Sequence, residues 1–223
     1  MNKYLFTCEH SSADIPAAYR VLFRGEEKIL RTHRGWDEGA KELAEGLAKA
    51  LRTKVILGKN SRLLVDLNRT SDNRGVFSDW TRPLPEKEKR ELIEKYHEAH
   101  WNKVRQAIRK LDWVIHVGVH SFTPVLYGSV RKTDIGLLHD PKRKLETELC
   151  LGLQKKLRKE TDFAVHRNLP YRGTGNGLVT ALRKEFPADR YIGLELEINQ
   201  RCLRGKAARA RILSVISAAL SQK

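Results

Sequence analysis

The sequence has little cysteine, a single methionine and no long apolar run. Its 3 cysteines, Cys8, Cys150 and Cys202, stand far apart and form no CxxC pair. That argues against a disulfide framework and against a cysteine zinc site, and it suits reduced, small apolar residues. No apolar stretch approaches the roughly 18 residues of a membrane span. The opening MNKYLFTCEH runs directly into strand-like sequence without a long apolar h-region, so the expected location is cytoplasmic. Internal repeats and low-complexity tracts are absent too. Acidic residues are in short supply, 27 against 43 basic ones, for a net charge of +16. Such an excess attracts polyanions or acidic metabolites. Much of it, however, lies in the helix-like segments 142–159 and 201–211, where a solvated polar face accounts for it. No helix-turn-helix, zinc-finger or RNA-recognition signature accompanies the charge, and the aromatics are not interleaved with lysine runs. A basic nucleic-acid-binding protein is therefore an alternative, not the leading reading.

Hydrophobic residues make up 40% and charged residues 31%, an ordinary globular balance. Strand-like and helix-like segments alternate with no obvious linker, so a single α/β domain over 1–223 is expected. The segment DWVIHVGVHSFTP at 112–124 organises the rest. Its β-branched and aromatic run suits a strand covered on both faces, in the centre of a sheet. Ser121, Thr123 and Pro124 stop it just beyond His120, which puts that histidine at a carboxyl-terminal strand end, where open α/β sheets place their ligands. Further strands are expected at 4–8, 54–57, 62–67, 163–165 and 191–198, and 127–138 is either a hairpin or a strand beside the site. Helices are expected from about Trp36 through Leu51, from Pro85 and Glu86 through Ile108, and over 142–159 and 206–220, each from its i, i+4 apolar stripe. His97 and His100 ride on the second of these and read as helix surface, outside the site.

The strand ends carry the chemistry. The first strand delivers Glu9 and His10 into a loop, a placement that matches His120. Asp37 stands at the start of a helix, where a carboxylate either suits the helix dipole or serves a site. Asn68 and Arg69 follow the 62–67 segment, and such a pair can hold a carboxylate through the guanidinium fork and the amide. The loop NLPYRGTGNG at 168–177 has no Walker A or GxGxxG spacing and is not a nucleotide loop, but Arg172 on it could cover an anionic substrate. Strand alternation puts Glu195 and Glu197 on one face with Gly193. Buried without partners, two such carboxylates would cost several kcal/mol, so a metal, an arginine or water must meet at least one. Two histidines and a carboxylate form a normal catalytic zinc set with a position left for water. Zinc lowers the water's pKa towards about 7 and polarises a carbonyl. A further carboxylate can then move the proton, and an arginine can stabilise the oxyanion.

The chain resembles the N-formylglutamate amidohydrolases. The matching pieces are TCEHSSADIP at 7–16, HRGWDEGA at 33–40, SRLLVDLNRT at 61–70, HVGVHSFTP at 116–124, DIGLLHD at 134–140, NLPYRGTGNGL at 168–178 and YIGLELEINQ at 191–200. They follow the family's order over most of the chain. The resemblance implies a three-layer α/β/α fold around a mixed sheet, zinc-carboxypeptidase-like (a phosphorylase/hydrolase-like arrangement) and similar to aspartoacylases. It implies that His10 and His120 are zinc ligands, that Asn68 and Arg69 grip a substrate carboxylate, that Arg62 faces the scissile carbonyl and that Glu195 is the catalytic base. Carboxypeptidase relatives take their second ligand from a glutamate three residues after the first histidine, where this chain has Ala13. Asp37 is the expected substitute, with Glu9 and Asp14 as alternatives. The family often has an arginine at the position of Glu197. The expected activity is zinc-dependent hydrolysis of a small N-acyl amino acid, with an N-formyl amino acid such as N-formylglutamate as the example. A zinc peptidase trimming peptide ends would use the same chemistry, and manganese or iron could occupy a similar site.

Overall fold

The computed structural model describes residues 3–221. In chain order its strands are β1 (Tyr4–Cys8), β2 (Lys54–Leu57), β3 (Val114–Phe122), β4 (Val125–Leu126), β5 (Ser129–Val130), β6 (Ile135–Leu138), β7 (Val165–Arg167) and β8 (Tyr191–Asn199). The α-helices are α1 (Glu27–Leu30), α2 (Ala40–Ala50), α3 (Glu86–Leu92), α4 (Ala99–Arg109), α5 (Lys144–Glu160), α6 (Leu178–Glu185) and α7 (Gly205–Ser221). Six strands form one mixed sheet in the order β2-β1-β3-β8-β6-β7, while β4 and β5 make a separate small hairpin. Only the β6–β8 pairing in the sheet is antiparallel. The 127–138 segment thus supplies both a hairpin arm and a strand beside the site.

The period-two alternation of the central strands sorts the two faces. Phe6, Val117, Val119, Leu194 and Leu196 point to a core shared with Leu43 and Leu47 of α2, Leu153 and Leu157 of α5, and Ile212 and Ile216 of α7. On the other face Leu5, Val114 and Tyr191 meet Trp101, Val104 and Ile108 of α4 and Leu178 and Leu182 of α6. This is the expected α/β/α sandwich. Every residue of β3 is buried, as its unbroken apolar run requires. Full burial of each large side chain contributes roughly 1.5–3 kcal/mol.

The second face is not uniformly apolar. Thr7, His116, Gly118, His120, Gly193, Glu195 and Glu197 lie on it, so polar groups enter this layer towards the carboxyl ends of the strands. Val179 of α6 packs over Gly118 and Gly193, where an added Cβ would approach it to 3.5 and 2.7 Å. One buried ion pair fixes this layer. Arg183 Nε donates to Glu146 Oε1 at 2.9 Å, and the same oxygen accepts from the Gly193 amide at 3.0 Å. The Asp140 amide donates to Glu146 Oε2 at 2.9 Å. Fully bonded, the pair links α5, α6 and β8, and removing either partner would strand a buried charge at about 3–5 kcal/mol.

Three expectations need correction. Residues 62–67 form no strand. Ser61 Oγ accepts the Leu63 amide, the Leu64 amide bonds the Ser61 carbonyl, and the Asp66 amide bonds Val76, so the segment winds through turns. Its apolar residues fill two satellite clusters, Leu63 and Leu64 with Phe23 and Leu92, and Val65 and Leu67 with Val76. The strand expected at 163–165 is displaced to Val165–Arg167. Finally, His97 and His100 are not helix surface. A π-helical turn, Ile93–Glu98, joins α3 to α4, and both histidines face inward, at 0% and 6% exposure. Among the described residues no helix is long and apolar enough to cross a membrane.

Candidate metal centre and substrate cleft

β1 and β3 run parallel, so His10, just past the end of β1, and His120, near the end of β3, arrive side by side. Their ring centroids are 5.2 Å apart. Asp37, from the turn before α2, reaches between them. Its Oδ2 lies 3.4 Å from His10 Nδ1 and 2.9 Å from His120 Nδ1. Each of the three residues offers a donor atom, all within 4.8 Å of one another. All are buried, at 2%, 5% and 3% exposure for His10, Asp37 and His120. Asp37 thus lies within reach of both histidines as well as just ahead of α2. Of the alternatives, Asp14 is exposed and receives a bond from Ser12 Oγ, away from the cluster. Glu9 lies behind it.

The outward nitrogens of both histidines are also engaged. His10 Nε2 donates to Asp66 Oδ1 at 2.7 Å, and His120 Nε2 stands 3.1 Å from Glu9 Oε2. Such carboxylate partners orient an imidazole and raise its basicity toward a cation. Glu9 is itself backed by His100, 3.7 Å from its Oε1. Arg62 closes the group, with one guanidinium nitrogen 3.1 Å from Asp66 and the other 3.6 Å from Asp37. Burial pushes all these carboxyls up, but their partners outweigh it: His10 and His120 hold Asp37 below the usual range, Arg62 and His10 hold Asp66 below it, and His100 and His120 do the same for Glu9. In the opposite sense, burial disfavours a charged His120, yet Asp37 and Glu9 raise its pKa well above the ordinary value. Three carboxylates thus surround two imidazoles and one arginine, a buried group that could hold a cation. The donor set of two nitrogens and a carboxylate oxygen fits zinc.

Glu195 stands half-buried on β8, two strands from His10. The Asn68 amide donates to its Oε1 at 3.2 Å and comes within 3.4 Å of His120 Nε2. Asn68 Oδ1 accepts the Leu178 amide at 2.9 Å, which ties the loop to the start of α6. Arg69 donates to the Asn176 carbonyl at 2.6 Å, and Asn176 bonds Thr70 through both ends of its amide. The loops carrying Asn68 and Arg172 are therefore clasped together. Between them opens a cleft of about 600 Å³, lined among others by Arg62, Asn68, Arg69, Arg172 and Glu195. Arg172 is exposed there and makes no side-chain hydrogen bond among the described residues. Arg62, Asn68, Arg69, Arg172 and Glu195 line this cleft, and His10, Asp37 and His120 gather in the group that Asn68 adjoins.

Asp66 and the two helix histidines were the residues that sequence reasoning passed over. His97 donates from Nε2 to the Arg69 carbonyl at 2.7 Å and stacks on Trp101 at 4.8 Å. It holds the Asn68–Arg69 loop from behind. His116, by contrast, is a core histidine, bonded to Thr7 and Tyr191.

The model of the N-formylglutamate amidohydrolase family matches residues 2–204. The chain belongs to that family. Membership makes it a hydrolase of amide bonds and agrees with the motif resemblance. The crystal structure of the gene product Atu2144 from Agrobacterium tumefaciens is similar at 26% identity, over 99% of this chain and 91% of that one, with a TM-score of 0.84. An N-formylglutamate amidohydrolase from Ralstonia eutropha JMP134 shares the fold at 18% identity, over 97% of this chain and 90% of that one, with a TM-score of 0.69. No curated protein sequence matches this amidohydrolase.

Proposed function

We propose that this amidohydrolase depends on zinc and removes the acyl group, formyl in the first instance, from a small N-acyl amino acid bearing a carboxylate. The observation that carries the reading is the convergence of His10, Asp37 and His120, with Asp66 and Glu9 backing the imidazoles, beside Glu195. His10, Asp37 and His120 would hold the ion. Bound there, zinc supplies Lewis acidity, making water acidic enough to ionise near neutral pH and polarising a carbonyl. Glu195 takes the proton of the attacking water and delivers it to the leaving nitrogen. Its orientation comes from the Asn68 amide. Arg62, kept charged by Asp66 and Asp37, faces the oxyanion that develops on the acyl carbonyl. Asn68, Arg69 and Arg172 hold the substrate carboxylate from the wall of the cleft, with Arg172 free to close on it.

The test is to purify the protein, determine its metal by elemental analysis, and measure amine release from N-formylglutamate and related acyl amino acids. Stoichiometric zinc and chelator-sensitive release are expected. Metal-free protein that stays inactive after zinc addition would end this reading.

A further inference from the structure

Glu197 is a buried carboxylate that the chemistry above leaves unused. It follows Glu195 by two residues on the same face of β8, opposite His120 in the ladder with β3 and opposite Gly136 in the ladder with β6. Only 7% of it is exposed, and its buried Oε2 has no hydrogen-bond partner among the described residues. Glu195, in contrast, is met by Asn68. Nor does Glu197 belong to the group of His10, Asp37 and His120. Burial raises its pKa to about 7, against the pull of His120 and with the help of Asp37 and Glu195. Glu195 lines the cleft, and Glu197 sits two residues further along the same face of β8, beside Gly136, while Arg69 and Arg172 make the cleft wall cationic.

The position is built into the fold. An added Cβ at Gly136 would lie 2.2 Å from the Leu169 carbonyl and 3.1 Å from Glu197 Cβ. Hence the loop that carries Arg172 passes directly over Gly136, beside Glu197. Two residues of extended strand set Glu197 about 7 Å beyond Glu195, a span that a four-carbon amine chain covers.

We propose that Glu197 determines specificity by receiving a protonated amine of the substrate, so that the favoured substrates are N-acyl amino acids with a cationic side chain. The proposal rests on the amidohydrolase reading and names the substrate class for the same cleft. An ammonium supplies the N–H that Oε2 lacks. A ligand without that group leaves a buried acceptor unpaired, the situation in which binding sites discriminate most strongly.

The experiment compares zinc-loaded wild type and Glu197→Gln on α-N-formyl-lysine and α-N-formyl-norleucine, which differ by the terminal amine. Wild type should favour the lysine derivative at least tenfold in kcat/KM, and Glu197→Gln should bring that ratio close to one. A ratio near one in wild type, or an unchanged ratio in the variant, overturns the proposal while leaving amide hydrolysis intact. Calorimetric binding of free lysine against norleucine gives a readout independent of turnover. If no acyl substrate is hydrolysed, the parent reading falls, and the calorimetry alone decides for Glu197: lysine bound at least tenfold more tightly than norleucine by wild type but not by the variant supports it. Equal binding of the two overturns it.

Discussion

Asp66 Oδ1 lies 2.7 Å from His10 Nε2, on the far side of the ring from the nitrogen that faces Asp37. The same carboxylate receives Arg62 at 3.1 Å. Asp66 therefore sets the orientation of one expected zinc ligand and of the expected oxyanion donor together. Asp66→Asn keeps the size of the side chain but removes the charge that both partners use. Loss of such a carboxylate behind a metal-bound histidine typically lowers affinity 10–100-fold. Competition for zinc against a chromophoric chelator, with circular dichroism to verify folding, is the check. Unaltered zinc affinity would reduce Asp66 to a partner of Arg62 alone.

Glu195 and the metal ligands should separate cleanly by mutation. Glu195 is held by Asn68 and is not one of the donors His10, Asp37 and His120, so Glu195→Gln should keep its zinc while losing at least about a hundredfold in rate, the scale of a general base. Zinc content and kcat on one preparation give both numbers. A variant with wild-type rate would move the proton-transfer role to Glu197 or elsewhere.

What could be read from the residues, and what could not, follows from how each element is stabilised. β3 and β8 were legible because a strand buried on both faces must be apolar along its whole length, so His120 and Glu195 stand out within them. Residues 62–67 misled because RLLVDL has the composition of a strand without its alternation. Consecutive Leu63, Leu64 and Val65 serve two different clusters through a turn, and the turn-forming residues Ser61, Asp66 and Asn68 around the segment were the available signal. That error hid Asp66. His97 and His100 were hidden by polarity. Counting back in fours from Ile108 and Val104 arrives at His100, and from Trp101 at His97, so the buried stripe of α4 runs through His100 and on into the π-helical turn at His97. No local pattern, however, encodes which loop a buried histidine will meet. The contacts of His97 with Arg69 and of His100 near Glu9 join segments far apart in sequence.

His116 lets the fold's response to acid be predicted apart from the site. The ring is fully buried and bonded to Thr7 Oγ1 at 2.9 Å and Tyr191 Oη at 2.7 Å. Neither partner carries a charge that would stabilise an imidazolium. Burial lowers the His116 pKa from 6.5 to about 4, with Glu9 opposing and Arg183 reinforcing the shift. Between those values the unfolded chain binds a proton that the folded chain refuses. Stability contributed here is therefore complete above pH 6.5 and is lost as pH falls towards about 4. The full loss is about 3 kcal/mol. His116→Gln can still bond both neighbours but has nothing to titrate. It should begin less stable than wild type, and the gap should close by about that amount across the window, in urea unfolding at one fixed metal concentration so that metal lost in acid affects both proteins alike. A gap that stays constant with pH would mean that His116 is not the residue through which acid destabilises this core.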